Sequence, residues 1–172
     1  DSISGIFKSK ILNKNIKFDF DYNKKILKIH NSYFRSKDFS FSNKSEIVFA
    51  PFLSINSVVQ IEEINSIISK KINIKKLLKS KNILKKFNIE NEIYLNSEKF
   101  NRNIINDLKL NLDLAYGRIN YLKKFSISNN LFECKGNTNL LEEYPVVYFN
   151  CFVIFNDKKK FFKKFNISKK NQ

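Results

Sequence analysis

The chain has one histidine, His30, and this limits its acid–base and nucleophilic chemistry. A Ser–His–Asp or Cys–His arrangement needs an imidazole beside its nucleophile, so either would depend on His30. His30 follows Ile29 at the end of an apolar run and reads as a surface residue. The carboxylate pairs Glu62–Glu63 and Glu142–Glu143 have the right chemistry for general acid–base work. The first pair is expected to open a helix, where the macrodipole favours negative charge. The second falls in an expected turn, and neither comes with a second catalytic group. There is no glycine-rich phosphate loop, nucleophile elbow or zinc-ligand spacing. The reading is a protein that is not an enzyme, with no cofactor and no metal.

Cys134 and Cys151 are the only cysteines, too few for a zinc site without histidine, and His30 is distant in sequence. A hairpin turning about Glu142 and Glu143 would set them opposite each other. Opposed Cβ atoms lie about 4.5–5.5 Å apart, close to disulfide range. Two readings stand: a disulfide, which an oxidising compartment would favour, or two small buried apolar side chains.

The formal net charge is +16, from 32 Lys+Arg against 16 Asp+Glu. Such a balance suggests an anionic partner, either nucleic acid or a phospholipid surface. The basic residues are nearly all lysine, however, with arginine only at 35, 102 and 118. Lys, Asn, Ile and Phe dominate together, as AT-rich codons produce without selection for charge. Arginine does most bidentate phosphate and guanine recognition. Nucleic acid therefore stands as the alternative partner, for a basic, ribosomal-type protein of an AT-rich genome. Phe125, Phe132, Phe149 and Phe155, interleaved with lysine, are its candidate stacking residues.

Large apolar residues at every second position mark the elements. In LKLNLDLAY, Leu108, Leu110, Leu112, Leu114 and Tyr116 alternate with Lys109, Asn111, Asp113 and Ala115, which gives a strand with one apolar face. Further strands are expected at Ile16–Tyr22, Ile26–Ile29 with an extension towards Tyr33, Phe39–Ser42, Ile47–Phe49 and Ser57–Ile61. They continue at Glu92–Leu95, Ile119–Ile127, Leu131–Lys135 and Val146–Phe155, with a frayed strand over Phe161–Ile167. Gly136–Asn137 is expected to break a strand, and Gly117 to mark a turn or bulge. From Glu62 to about residue 88 the apolar spacing becomes helical, which predicts two short helices. The fold class is mainly β with a small helical insert (α+β), as an antiparallel meander. No window holds the roughly 18 apolar residues of a membrane-spanning helix. The chain opens at Asp1 without methionine and reads as one segment cut from a longer protein.

The run from Leu108 to Ile167 resembles the AsmA-like superfamily, which includes the AsmA, TamB and YhdP proteins of Gram-negative bacteria. The matching features are successive alternating strands, a strand ending at Ala115-Tyr116-Gly117, the Gly136-to-Leu140 step and a closing apolar strand. Pro51-Phe52-Leu53 after FSFSNKSEIVFA matches as well. The resemblance covers about residues 16–167. It implies a section of a long curved β-trough in the periplasm, anchored to the inner membrane through parts outside this chain. The trough's apolar face would carry phospholipid acyl chains in lipid transport or outer-membrane biogenesis. Leu108, Leu110, Leu112, Leu114 and Tyr116 are then the candidate groove residues, and rim lysines would attract headgroup phosphates. The competing use of that stripe is an ordinary core against the helical insert.

Overall fold

The computed structural model of the chain describes residues 2–64, 84, 86–96 and 105–167. Ten strands form one open sheet in chain order. They are β1 (Ser2–Ile11), β2 (Lys14–Asn23), β3 (Ile26–Arg35), β4 (Phe39–Val48), β5 (Ser54–Ile64), β6 (Asn88–Asn96), β7 (Ile105–Ala115), β8 (Arg118–Ile127), β9 (Asn130–Asn139) and β10 (Tyr148–Ile154). A short helix, α1 (Lys158–Lys164), follows β10. The fold is mainly β and mostly antiparallel, as the alternation indicates.

One neighbouring pair departs from the meander: β5 and β6 run parallel. A parallel pair needs a crossover of a dozen or more residues to bring the chain back to the starting end. Residues 65–87 make that connection. Most of the expected helical insert lies outside the described residues. Its first residues are corrected to strand, because after a bulge Glu63 and Ile64 still pair with Ser40 and Phe39. The Glu62–Glu63 pair therefore does not open a helix. At the far end, Asn88 already belongs to β6.

Tight turns set the registers. Positive φ at Leu12–Asn13, Tyr116–Gly117 and Ser128–Asn129 gives two-residue turns of the kind whose twist matches a hairpin. They join β1 to β2, β7 to β8 and β8 to β9. Between β2 and β3, Asn23 Oδ1 accepts from the backbone N–H of Lys25 and Ile26 at 3.0 and 2.7 Å, which closes the turn.

Other expectations are corrected by packing that the sequence pattern does not display. Phe39–Ser42 and Ile47–Phe49 belong to one strand, β4, whose middle is polar. β1 was not anticipated, because Gly5 and Ser9 interrupt its apolar alternation. Gly136 does not break β9: the strand runs on to Asn139, and the Tyr121 ring lies where a Cβ would stand. The frayed strand over Phe161–Ile167 is instead helix α1 and its C-terminal cap. Asp157 Oδ1 accepts from Lys160 N at 2.9 Å as an N-cap. Asn166, at φ 52°, closes the other end, with Asn166 N–H donating to Lys163 O and Ile167 N–H to Phe162 O. This is a Schellman arrangement.

The core is thin. Leu95, Leu114 and Leu140 are the buried apolar side chains among the described residues, and Ser40 and Asn130 the buried polar ones. Among the described residues the sheet is a single layer over most of its area, with α1 set against one corner through Phe161, which approaches Phe132 at 6.0 Å between ring centroids.

Candidate functional site

Directly paired residues in a sheet project to the same side, and successive residues alternate. The registers therefore sort every strand side chain onto one of two faces. One face carries an unbroken apolar rung on nine consecutive strands, β2 to β10. It runs Ile16, Phe34, Phe41, Ile61, Leu95, Leu108, Phe125, Phe132 and Val153, each the direct partner of the next. A second ladder on the same face crosses eight strands, β1 to β8. It runs Ile3, Tyr22, Leu27, Ile47, Ile55, Ile89, Leu114 and Ile119. At about 4.8 Å per strand step, the first ladder is about 38 Å long.

Between the ladders lies a polar strip. Ser45, Ser57 and Asn91 are direct partners on β4, β5 and β6, and Ser32 pairs with Asn43 beside them. Ser57 donates to Asn91 Oδ1, and Asn43 Nδ2 donates to Ser45 Oγ at 3.0 Å. The carbonyl oxygen of the Asn43 side chain is buried and accepts no hydrogen bond among the described residues.

The opposite face is charged. Lys17–Asp19, Lys28–Glu46, His30–Asp21, Lys109–Glu92 and Lys124–Glu133 pair there at 2.9–3.6 Å. The Ser4 hydroxyl and then the His30 ring hold the Asp21 carboxyl below its ordinary range. The Tyr94 hydroxyl, 2.5 Å from Glu92 Oε2, does the same for Glu92, with Lys109 helping. Lys109 is raised in turn, by Tyr94 first and Glu92 second. A shallow cleft of about 470 Å³ opens on this side, lined by Lys28, His30, Lys44, Glu46, Glu92 and Asn111 among others. A second of about 400 Å³ lies by Tyr94, Lys109 and Lys124. Lys28–Glu46 and Lys109–Glu92 pair within these linings. Among the described residues no cluster of His, Cys, Asp or Glu is placed to hold a metal ion.

Four of the five groove candidates, Leu108, Leu110, Leu112 and Leu114, project to the apolar face. Leu108 and Leu114 are rungs of the two ladders, and Leu110 and Leu112 lie between them. Tyr116 is corrected: β7 ends at Ala115 and Tyr116 sits in the turn at φ 49°, outside both ladders. The rungs on the other strands are not groove candidates in the sequence, where Phe125 and Phe132 stand as stacking candidates instead. Alternation is visible within each strand, but which rung meets which depends on register, and the bulges at Lys17–Asp19, Ile29–Ser32 and Ser40–Phe41 shift it.

Cys134 and Cys151 are directly paired and joined by a disulfide, with 4.1 Å between Cα atoms. The reading of two separate apolar thiols is set aside. The stacking candidates Phe125 and Phe132 face each other within the first ladder. Phe149 is exposed on the apolar face, and Phe155 packs edge-on against Phe161 and Phe162 of α1. Except for Lys14 and Lys123, every strand lysine projects to the charged face, away from these rings. No helix among the described residues is long and apolar enough to cross a membrane. Compared with protein families, curated proteins and solved structures, the chain shows no match.

Proposed function

We propose that the apolar face is a surface for phospholipid acyl chains, and that the chain is a non-enzymatic section of an AsmA-like envelope protein serving lipid transport or outer-membrane biogenesis. The observation that carries this reading is the pair of continuous apolar ladders. A core patch needs only local apolar contact. A path for a hydrocarbon chain needs continuity from strand to strand, and the first ladder has it over nine strands. Its length of about 38 Å exceeds the reach of one acyl chain, which is about half of a bilayer's ~30 Å hydrocarbon core. Each methylene laid against such a face gains about 0.8 kcal/mol. The Cys134–Cys151 disulfide fits a periplasmic, oxidising location. Apart from Lys14 and from Lys123, which lies 4.7 Å over the Phe125 ring, the strand lysines stand on the opposite face from the ladders, which fits a lipid surface better than a nucleic-acid platform with rings and cations together.

The test is titration of detergent-free, delipidated protein with a fluorescent fatty acid. Saturable binding that varies little with salt, lost in Leu110→Asp and Leu112→Asp with β-sheet circular dichroism intact, supports the reading. Unfolding of both variants would make the stripe a structural core and remove the support.

A further inference from the structure

We infer that the cleft between α1 and the β8–β9 turn binds the phosphate of a phospholipid headgroup. This rests on the acyl-chain reading above and deepens it, by fixing where on the apolar face the lipid's head sits. The cleft, of about 500 Å³, is lined by Ser128, Asn130, Asn156, Lys160, Phe161 and Lys164 among others. Asn130 builds it and is only 2% exposed. Its Nδ2 donates to the carbonyl oxygens of Ile127 and Ser128 at 3.1 and 2.9 Å, and its Oδ1 accepts from Asn156 N–H at 3.0 Å. One buried amide thus ties the β8–β9 turn to the segment that leads into α1. The two walls are set before a ligand arrives, so binding does not have to order them.

Charge and shape select the ligand. The sequence of α1 is KKKFFKK, with no acidic residue. Lys160 and Lys164 stand one turn apart and both line the cleft, a spacing at which like charges repel. Lys164 Nζ donates to Ser128 Oγ at 2.7 Å, which holds one of the three donors of that ammonium. Among the described lining residues Asp157 brings the one carboxylate, and its Oδ1 already accepts from Lys160 N–H as the helix cap. Two ammonium groups with a hydroxyl and amides suit an oxyanion of several acceptor oxygens. The apolar path starts at the inner wall. Phe161 lines the cleft and approaches Phe132 at 6.0 Å between ring centroids, and the rung leads from Phe132 through Phe125 to Leu108 and Leu95. A phosphate held by the two lysines therefore sets its hydrocarbon on the first ladder. Lys123, over the Phe125 ring at 4.7 Å, adds a cation on the same stretch. A nucleic-acid backbone needs cations spaced along a track, whereas these are gathered at one end of an apolar path.

The experiment titrates the delipidated full chain, followed by NMR, with dihexanoyl phosphatidylglycerol below its micelle concentration, dihexanoyl glycerol, inorganic phosphate and an oligouridylate. The expected result is phospholipid binding about tenfold or more tighter than the diglyceride, with shifts at the amides of Ser128, Asn129 and Lys160. Lys160→Gln with Lys164→Gln removes the difference and keeps the diglyceride's affinity, while Lys160→Arg with Lys164→Arg retains the difference. Inorganic phosphate shifts the same amides only at far higher concentration. Equal affinity for the two lipids, or a difference that survives the glutamine pair, would overturn the headgroup site and leave the acyl surface standing. Binding of neither lipid would overturn both. Inorganic phosphate bound as tightly as the phospholipid would make the cleft a free-phosphate site and overturn the lipid source. Oligouridylate bound more tightly than the phospholipid, and lost in the glutamine pair, would assign the cleft to nucleic acid and overturn it as well.

Discussion

Phe125 and Phe132 stand directly opposite each other on β8 and β9, their ring centroids 5.0 Å apart and their planes 12° from parallel. Phe161 of α1 closes on the same rung from above, 6.0 Å from Phe132. This is where the short helix is fastened to the apolar face. Aromatic pairs of this spacing add about 0.5–1.5 kcal/mol beyond area burial. Phe132→Ala is therefore expected to destabilise the chain by about 2 kcal/mol, below the cost at a fully buried site. It should also release α1, seen in urea unfolding and in loss of amide protection over residues 158–164.

The disulfide is expected to fasten the β10 edge. It closes a connection of sequence separation 17, for which chain-entropy arguments give about 3 kcal/mol. Cys134→Ser with Cys151→Ser should lower stability by about 2–3 kcal/mol and raise exchange first in β10. Equal exchange changes across all ten strands would contradict a local fastening.

Gly136 carries a packing constraint. A Cβ at that position would lie 2.5 Å from the Tyr148 carbonyl oxygen and from the Tyr121 hydroxyl. The ring can move, but the backbone of the paired strand cannot move without loosening the ladder. Gly136→Ala is expected to cost about 1–3 kcal/mol and to weaken β9–β10 pairing. A melting temperature equal to that of the parent would refute the close approach.

The acid limb of the stability curve should depend on Asp21 and Glu92. Both have folded-state pKa values below their ordinary ones, through Ser4 and His30 for Asp21 and through Tyr94 and Lys109 for Glu92. A depressed carboxylate contributes stability above its unfolded pKa, about 3.9 for Asp and 4.3 for Glu. That contribution is lost as pH falls through the folded value. Asp21→Asn with Glu92→Gln should flatten the fall in stability below about pH 4. Urea midpoints across that fall check the sign.

How much of this was legible in the sequence depends on the range of the interaction. Leu108 to Leu114 announce a one-faced strand by themselves, because alternation is a property of one chain segment. The Cys134–Cys151 relation was legible as one of two readings, since a hairpin about Glu142 and Glu143 fixes which residues can oppose each other. β1 was not, because Gly5 and Ser9 fill positions where apolar residues would have shown the pattern. Gly5 is tolerated there because the Phe20 ring on β2 lies over it, a cross-strand fact. The helix at Lys158–Lys164 was misread because Phe161, Phe162 and Phe165 suit a frayed strand as well as a helix. The Asp157 cap and the Asn166 closure decide the matter. The ladders themselves exist only in the register between strands, which no single segment contains.

The most direct measurement is mass spectrometry of organic extracts from the purified chain, prepared without detergent. Phospholipid at near-stoichiometric levels, falling in Leu110→Asp and Leu112→Asp proteins that keep their β-sheet spectrum, is the predicted result. A cooperatively folded chain that carries no lipid would contradict the account, and its ladders would then be packing surface alone.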